Sequence, residues 1–319
     1  MRHLVAMGEL LIDFLPNEKG FKLDKVNSFF KMPGGAPANV ASVVAKLGGK
    51  SYFMGQVGED SFGHYLEQEL NKFSVDTSFL SFSKEYNTSL VFVSLDSNGE
   101  RDFMFYRNPS ADQMYDKNQL NYSILKNSIL HFCSVGLAPY PLKEATSKAI
   151  AYAKEHQAII SFDPNVRLSL WKDHELLKQT IFEFIPYANI LKVSDDELLF
   201  LTHITSEEKA VRMLFIGDVE LIIVTKGRQG VTLYTKEASY YSPGFNVTVI
   251  DTTGAGDAFI GAFLYQIALE GFINVNKIDN YLQFSNAVGA LATTKMGPTG
   301  SIPTKEEVKA FLASANPVL

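Results

Sequence analysis

The run Asp251-Thr252-Thr253-Gly254-Ala255-Gly256-Asp257-Ala258-Phe259, followed by the apolar stretch Ile260 to Leu264, is where the residue types of this chain most clearly point to chemistry. Small residues ahead of a helix leave successive backbone N–H groups turned outward, and the helix dipole adds to their attraction for an anion. The turn is therefore suited to phosphate. A carboxylate there would repel a phosphate, so Asp257 makes chemical sense as the acceptor of a proton from a hydroxyl that attacks the phosphate. It also has a plain structural reading, as a favourable first-turn acid on an ordinary helix. The competing ligand is a dinucleotide, whose Gly-x-Gly-x-x-Gly fingerprint follows an early strand and precedes an acid by about 20 residues. Here Phe259 stands at the third glycine position and the motif lies late in the chain. No Gly-x-x-x-x-Gly-Lys-Ser/Thr sequence occurs, which excludes a P-loop.

A second constellation, Gly34-Gly35-Ala36-Pro37-Ala38-Asn39-Val40-Ala41, pairs glycines with an amide side chain on the first turn of a helix. An approachable backbone together with the donor and acceptor of Asn39 suits a polyol, although a plain glycine turn before a helix explains the same residues. Asp13 adds a carboxylate able to accept two hydroxyl hydrogen bonds.

The elements that must position these groups follow from hydrophobic periodicity. Short runs rich in β-branched and aromatic residues (Leu4 to Met7, Tyr52 to Met54, Ile129 to Phe132, Ile159 to Phe162, Ile190 to Lys192, Leu221 to Thr225) alternate with helical stretches (Pro37 to Lys46, Phe62 to Phe73, Leu142 to His156, Asp257 to Glu270). This is the pattern of a mostly parallel sheet covered by helices on both faces. Thr304-Lys305-Glu306-Glu307 reads as a capping box opening a last helix. One stretch breaks the alternation: Thr88 to Leu95 and Arg101 to Arg107 are extended runs joined by a segment containing Asn98-Gly99, a hairpin signal. Val91, Val93 and Leu95 alternate with Leu90 and Phe92, so both faces of the hairpin are apolar. One face is expected to close over a ligand while the other packs on a partner. The segment Phe14 to Met32 is expected to add strands to that lid.

Composition bounds the rest. The chain has 319 residues, 46% of them hydrophobic and 20% charged, an ordinary globular balance that excludes disorder, collagen and coiled coil. With 29 basic against 35 acidic side chains, it lacks the broad positive footprint of a nucleic-acid partner. No run of about 18 uninterrupted apolar residues occurs, so no membrane span is expected. The start reads as a first strand and not as a signal peptide. The single cysteine, Cys133, lies in an apolar run and suits a reducing, cytoplasmic setting with a buried thiol.

With these residues in hand, the chain resembles the ribokinase, or PfkB, family of carbohydrate kinases over essentially its whole length. The resemblance implies a ribokinase-like α/β three-layer sandwich with a central, mostly parallel sheet. One kinase domain would span 1–319, with a small β-sheet lid formed by about 14–33 and 87–108. The stretches Phe103 to Asp112 and Asp163-Pro164-Asn165-Val166-Arg167-Leu168-Ser169-Leu170-Trp171 are similar to fructokinases in particular. They imply ATP-dependent phosphorylation of the fructose 6-hydroxyl. By the same resemblance Asp257 is the base, and Gly254, Ala255 and Gly256 form the anion hole. Asp13, Gly34, Gly35, Asn39, Phe105, Arg107 and Arg167 face the sugar. Asn165, Lys192, Thr225, Gly227, Gly230 and Asn286 face the nucleotide. Glu197 orders water around Mg²⁺; Ser194 stands where the family usually has Asn, and Ser194-x-x-Glu197 is equally a capping box. A K⁺ ion would fall at Asp251, Thr253, Ala292, Lys295, Gly297 and Ser301, although Asp251 also has a bracing role open to it. A homodimer formed through the lid is expected. The alternatives are a 2-keto-3-deoxygluconate kinase, which tends to carry tyrosine where this chain has Phe105, another sugar kinase of the family, or a non-catalytic, sugar-responsive protein on the same fold.

Overall fold

The structure is a computed structural model describing residues 1–18, 20–95, 101–297, 300 and 302–314. The chain runs through β1 (Leu4–Met7), β2 (Leu11–Pro16), β3 (Phe29–Gly34), α1 (Ala36–Lys46), β4 (Ser51–Gly58), α2 (Ser61–Lys72), β5 (Asp76–Ser83), β6 (Ser89–Leu95) and β7 (Arg101–Tyr106). It continues with β8 (Ile129–Cys133), α3 (Pro141–Glu155), β9 (Ile159–Asp163), α4 (His174–Phe184), β10 (Ile190–Ser194), α5 (Asp195–Thr202), α6 (Glu207–Leu214) and β11 (Leu221–Thr225). The last elements are β12 (Val231–Tyr234), β13 (Ser239–Ser242), α7 (Ala255–Glu270), α8 (Ile278–Ala292) and α9 (Lys305–Ser314).

Nine strands form the central sheet in the order β13-β12-β11-β10-β9-β8-β1-β4-β5, parallel from β5 to β11 and antiparallel in the terminal hairpin β12–β13. Its strands are apolar on both faces because helices cover both. In β1, Leu4 and Ala6 enter one core with α1, α7 and α8, while Val5 and Met7 enter the other with α3, α4, α5 and α6. Each fully buried side chain of this kind contributes about 1.5–3 kcal/mol. The expected parallel strands are present, each starting within a residue of the expected position. Three strands escaped the periodicity: β5, with polar residues along its length, and the short edge hairpin β12–β13.

The second sheet has the order β3-β2-β6-β7. It begins at Leu11, three residues before the expected boundary. The hairpin β6–β7 pairs as anticipated, Val91 opposite Phe105 and Val93 opposite Phe103, while its Asn98-Gly99 turn lies outside the described residues. Leu11, Val91, Val93, Phe103 and Phe105 share one face. On the other, Phe92 stacks on Phe14 at 4.6 Å and meets Phe29 edge-on at 5.3 Å. Part of that outer face is covered from within the chain: Phe62 of α2 packs on Phe14, and Lys31 lies 3.7 Å from the Tyr65 ring centre. Met104 and Tyr106 remain exposed on it.

Asp60 ties the two sheets. Its Oδ1 caps α2 by accepting from the amides of Phe62 and Gly63, both at 2.9 Å. The same carboxylate accepts from the Thr88 amide and hydroxyl, each at 2.8 Å, at the entry to β6. Asp60→Ala should lower stability by about 1–2 kcal/mol, the usual effect of losing an N-cap. A urea unfolding midpoint equal to that of the parent would contradict this role.

Candidate active site

Parallel sheets bind ligands beyond the carboxyl ends of their strands, where the chain leaves in opposite directions from neighbouring strands. Here that point falls between β1, followed by β4 on one side, and β8, followed by β9 on the other. A cavity of about 710 Å³ opens there, lined by Glu9 beyond β1, Val135 beyond β8 and Asn165 beyond β9. Asp13, Gly35, Asn39, Phe105, Arg107 and Arg167 line it from the lid and the surrounding loops, and Asp251, Gly254 and Asp257 close its far side.

Gly254 has φ 77°, a left-handed conformation that lets the chain turn directly into α7. Among the described residues the amides of Gly254 and Gly256 make no hydrogen bond, whereas the Ala255 amide donates to the Thr252 carbonyl at 3.3 Å. The anion turn thus offers Gly254 and Gly256, with Ala255 partly committed to holding it. A Cβ added to Gly256 would sit 3.1 Å from Lys192 Nζ, so the ammonium borders this turn. Asp251 braces it: Oδ1 accepts from the Thr253 amide at 2.9 Å and hydroxyl at 2.7 Å, and Oδ2 from the Gly297 amide at 3.0 Å.

Asp257 is buried and held by two amide side chains, Asn39 Nδ2 to Oδ2 at 2.8 Å and Asn165 Nδ2 to Oδ1 at 3.4 Å. Burial pushes its pKa up to about 6, and the Asp163 charge adds to the rise. The Asn39 hydrogen bond, Lys192 and Arg167 pull the other way. Lys192 donates to Asp163 at 2.9 Å in the interior. Burial alone would lower its pKa, but Asp163 and Glu197 outweigh burial and the net shift is upward, so the ammonium stays charged.

Asp13 and Gly34 are matched: a Cβ at Gly34 would lie 2.2 Å from Asp13 Oδ2, so a side chain there would push this carboxylate out of its place. Arg107 is buried and ion-paired with Asp112, so it is neither a surface pair nor an unencumbered arm reaching to a ligand. Among the described residues its buried Nε has no partner. Glu9, which sequence reasoning passed over, is likewise buried. Its Oε1 accepts from the Ala36 amide at 3.1 Å, while Oε2 has no partner among the described residues. Burial raises the Glu9 pKa to about 7 against the pull of Arg107. Arg167 is exposed at the cavity edge and hydrogen-bonds the neighbouring Val166 carbonyl.

The expected nucleotide residues do not line this cavity, Asn165 apart. Thr225 ends β11, and Gly227 and Gly230 form the turn after it. Asn286 Nδ2 donates to Ser242 and to the Pro243 carbonyl, pinning the segment after β13. Ser194 and Glu197 make the capping box in full, and Glu197 Oε1 also accepts from the Val166 amide at 2.6 Å. Each Glu197 oxygen therefore serves the backbone and keeps only its second lone pair for a metal-bound water. Of the K⁺ positions, Thr253 and Gly297 are joined through Asp251, Ala292 is buried in α8, Lys295 is exposed, and Ser301 lies outside the described residues.

A buried carboxyl beside unbonded helix-start amides, facing a cavity under a lid sheet, is an arrangement suited to phosphoryl transfer to a hydroxyl. Residues 1–305 match the pfkB family of carbohydrate kinases. Fructokinase-2 of Oryza sativa subsp. japonica is 42% identical over 316 residues, 98% of this chain and 94% of the relative. Two solved structures share the fold at TM-score 0.89. Fructokinase from Xylella fastidiosa with bound ATP is 33% identical and covers 98% of both chains. Fructokinase from Vibrio cholerae O395 in a form with fructose, ADP and calcium ion bound is 37% identical over 98% of this chain and 99% of that one. The chain belongs to the PfkB family of carbohydrate kinases, and it is a sugar kinase with the ribokinase-like fold.

The Asn39 hydrogen bond favours the charged form of Asp257. Asn39→Leu should therefore move the carboxyl titration to a pH above about 6, read by carboxyl ¹³C NMR; an unmoved midpoint would show that the 2.8 Å contact carries no weight.

Proposed function

We propose that this kinase transfers the γ-phosphoryl group of ATP to the 6-hydroxyl of D-fructose, giving fructose 6-phosphate and ADP. The observation that carries the reading is Asp257, a buried carboxyl flanked by the unbonded amides of Gly254 and Gly256 and open to the cavity that Asp13, Asn39 and Arg107 line. The sugar oxygen attacks the γ-phosphorus as its proton passes to Asp257, and the bond to the β,γ-bridging oxygen breaks in line. The amides at the α7 start and the Lys192 ammonium stabilise charge on the transferring group and on the departing diphosphate. Glu197, through the lone pairs its backbone bonds leave, would hold Mg²⁺ by way of water, and the ion would supply neutralisation of phosphate charge. K⁺ beside Asp251 would steady the turn that presents the amides. Arg107, preset by Asp112, presents guanidinium donors to the sugar, with Arg167 at the rim.

The lid face carrying Leu11, Val91, Val93, Phe103 and Phe105 would cover the sugar and exclude water, which otherwise competes as nucleophile. Met104 and Tyr106, exposed on the opposite face, support a homodimer through the lid. Among the described residues no helix is long and apolar enough to cross a membrane. The buried lone thiol of Cys133 suits the cytoplasm. The second reading is a 2-keto-3-deoxygluconate kinase, favoured by the exposed guanidinium of Arg167 at the cavity edge, which would take a substrate carboxylate.

ADP release with Mg²⁺ and K⁺ present, against fructose, 2-keto-3-deoxygluconate, ribose, adenosine and fructose 6-phosphate, tests the substrate. Turnover with fructose alone is expected; turnover with the keto-acid would transfer the assignment to the second reading, and silence with ATP bound would favour a non-catalytic role. Asp257→Asn should fold and bind ATP but lose about 10²–10⁴-fold in kcat. Because the base acts deprotonated, parent kcat/KM should fall as pH drops through about 6. A variant with parental kcat would remove Asp257 from this role.

A further inference from the structure

Beneath the cavity lies a charge that the reaction as described does not use. Asp163, at the end of β9, is 1% exposed. Its two oxygens serve different masters. Oδ2 accepts from Lys192 Nζ at 2.9 Å. Oδ1 accepts from the Asn165 amide at 3.1 Å, closing a turn in which Asn165 takes the left-handed φ of 45°. The side chain of Asn165 in turn reaches Asp257 Oδ1 at 3.4 Å. Left-handed backbone is costly for a residue with a Cβ, and such conformations persist where neighbouring groups hold them. A lysine 94% buried is equally costly without an opposite charge in contact.

We propose that Asp163 is a positioning residue for phosphoryl transfer: one oxygen holds the Lys192 ammonium beside the Gly256 amide, and the other fixes the Asn165 turn that steadies Asp257. This deepens the reading of Lys192 and Asp257 given above and rests on it. Without Asp163 the ammonium loses its hydrogen-bonded carboxylate and keeps only the attraction of Glu197 and Asp257, so on its long stem it would present its charge to the transferring group only part of the time. Supporting residues that orient a functional group typically matter by about 10- to 100-fold.

The experiment is a double-mutant cycle in the full chain, with kcat and the KM values for ATP and sugar measured for Asp163→Asn, Lys192→Met and the pair. Asparagine keeps an oxygen for the Asn165 amide and removes only the charge that faces Lys192. Asp163→Asn should raise the ATP KM or lower kcat by about tenfold or more while leaving the sugar KM near the parent value. Lys192→Met should lower kcat by about 10²–10³-fold, as loss of one preorganised donor does. The double variant buries no unpaired charge and should match Lys192→Met alone, because Asp163 acts through the lysine. Effects that multiply instead, or an Asp163→Asn enzyme with parental kcat and ATP KM, would overturn the proposal. If Asp163→Asn does not fold, the double variant decides on its own: kinetics clearly below those of Lys192→Met would show a structural role independent of the lysine. Failure of Asp257 as base would appear separately, as parental kcat in Asp257→Asn, and would leave the outcome of this cycle readable.

Discussion

Ionised groups taken out of water must be compensated where they lie, and that constraint organises the centre of this protein. Lys192 and Asp163 meet at 2.9 Å in the interior, and Arg107 meets Asp112 in a second buried pair. Among the described residues Asp257 has no cation in ion-pair contact, and two amide side chains serve it instead. Two of the arrangements join elements well separated in the chain, β9 to β10 and α7 to α1, while the third ties the end of the lid to the segment just after it. Breaking one partner would leave an uncompensated charge in low dielectric, which is far more damaging than losing an exposed pair. The strand ends, the anion turn and the first turn of α1 are therefore held in one geometry before any substrate arrives.

Preorganisation of that kind favours phosphoryl transfer, in which the protein acts mainly by placement and charge. Among the described residues the amides of Gly254 and Gly256 are left unbonded by the fold, while that of Ala255 is partly committed to the Thr252 carbonyl. The glycine at 256 leaves room for the ammonium of Lys192, and the α7 dipole favours an anion at the same end. Asp257 gains in basicity from its burial, and a base with a pKa near the working pH transfers protons most effectively. Glu9 and Arg107 show the opposite condition. Both line the cavity and each carries a buried polar atom with no partner among the described residues, a condition that substrate hydroxyls or movement of the lid would relieve.

The lid obeys different physics. Its cavity face is apolar except for Asp13 of β2, so a group covered there leaves water and meets few competing hydrogen bonds. Its other face leans on Phe62 and Tyr65 of α2. Asp60 sits where α2 and β6 begin and bonds to both. The covered part of the outer face explains why an all-apolar hairpin need not rest entirely on a second subunit.

The alternation of short apolar runs and amphipathic stretches is a local property, and it carried the parallel sheet, its flanking helices and the inserted hairpin. The glycine-rich turns were legible for the same reason, since Gly254, Gly34 and their neighbours are required by backbone geometry within a few residues. Periodicity failed for β5 and β13, whose position at the sheet edges exempts them from burial on both faces, and for β12, which lies inside β13 but is only four residues long. Nothing local could reveal that Asn39 bonds to Asp257 from 218 positions away. Nor could it show that Glu197, beyond the capping box legible in Ser194-x-x-Glu197, also accepts from the Val166 amide, or that the nearby pair Arg107 and Asp112 lies below the surface. The partners of a buried charge are chosen by how layers pack. The chain's own order thus determined which elements form and where a phosphate turn can exist, while tertiary structure alone decided which charges compensate one another, because desolvation acts on neighbours in space.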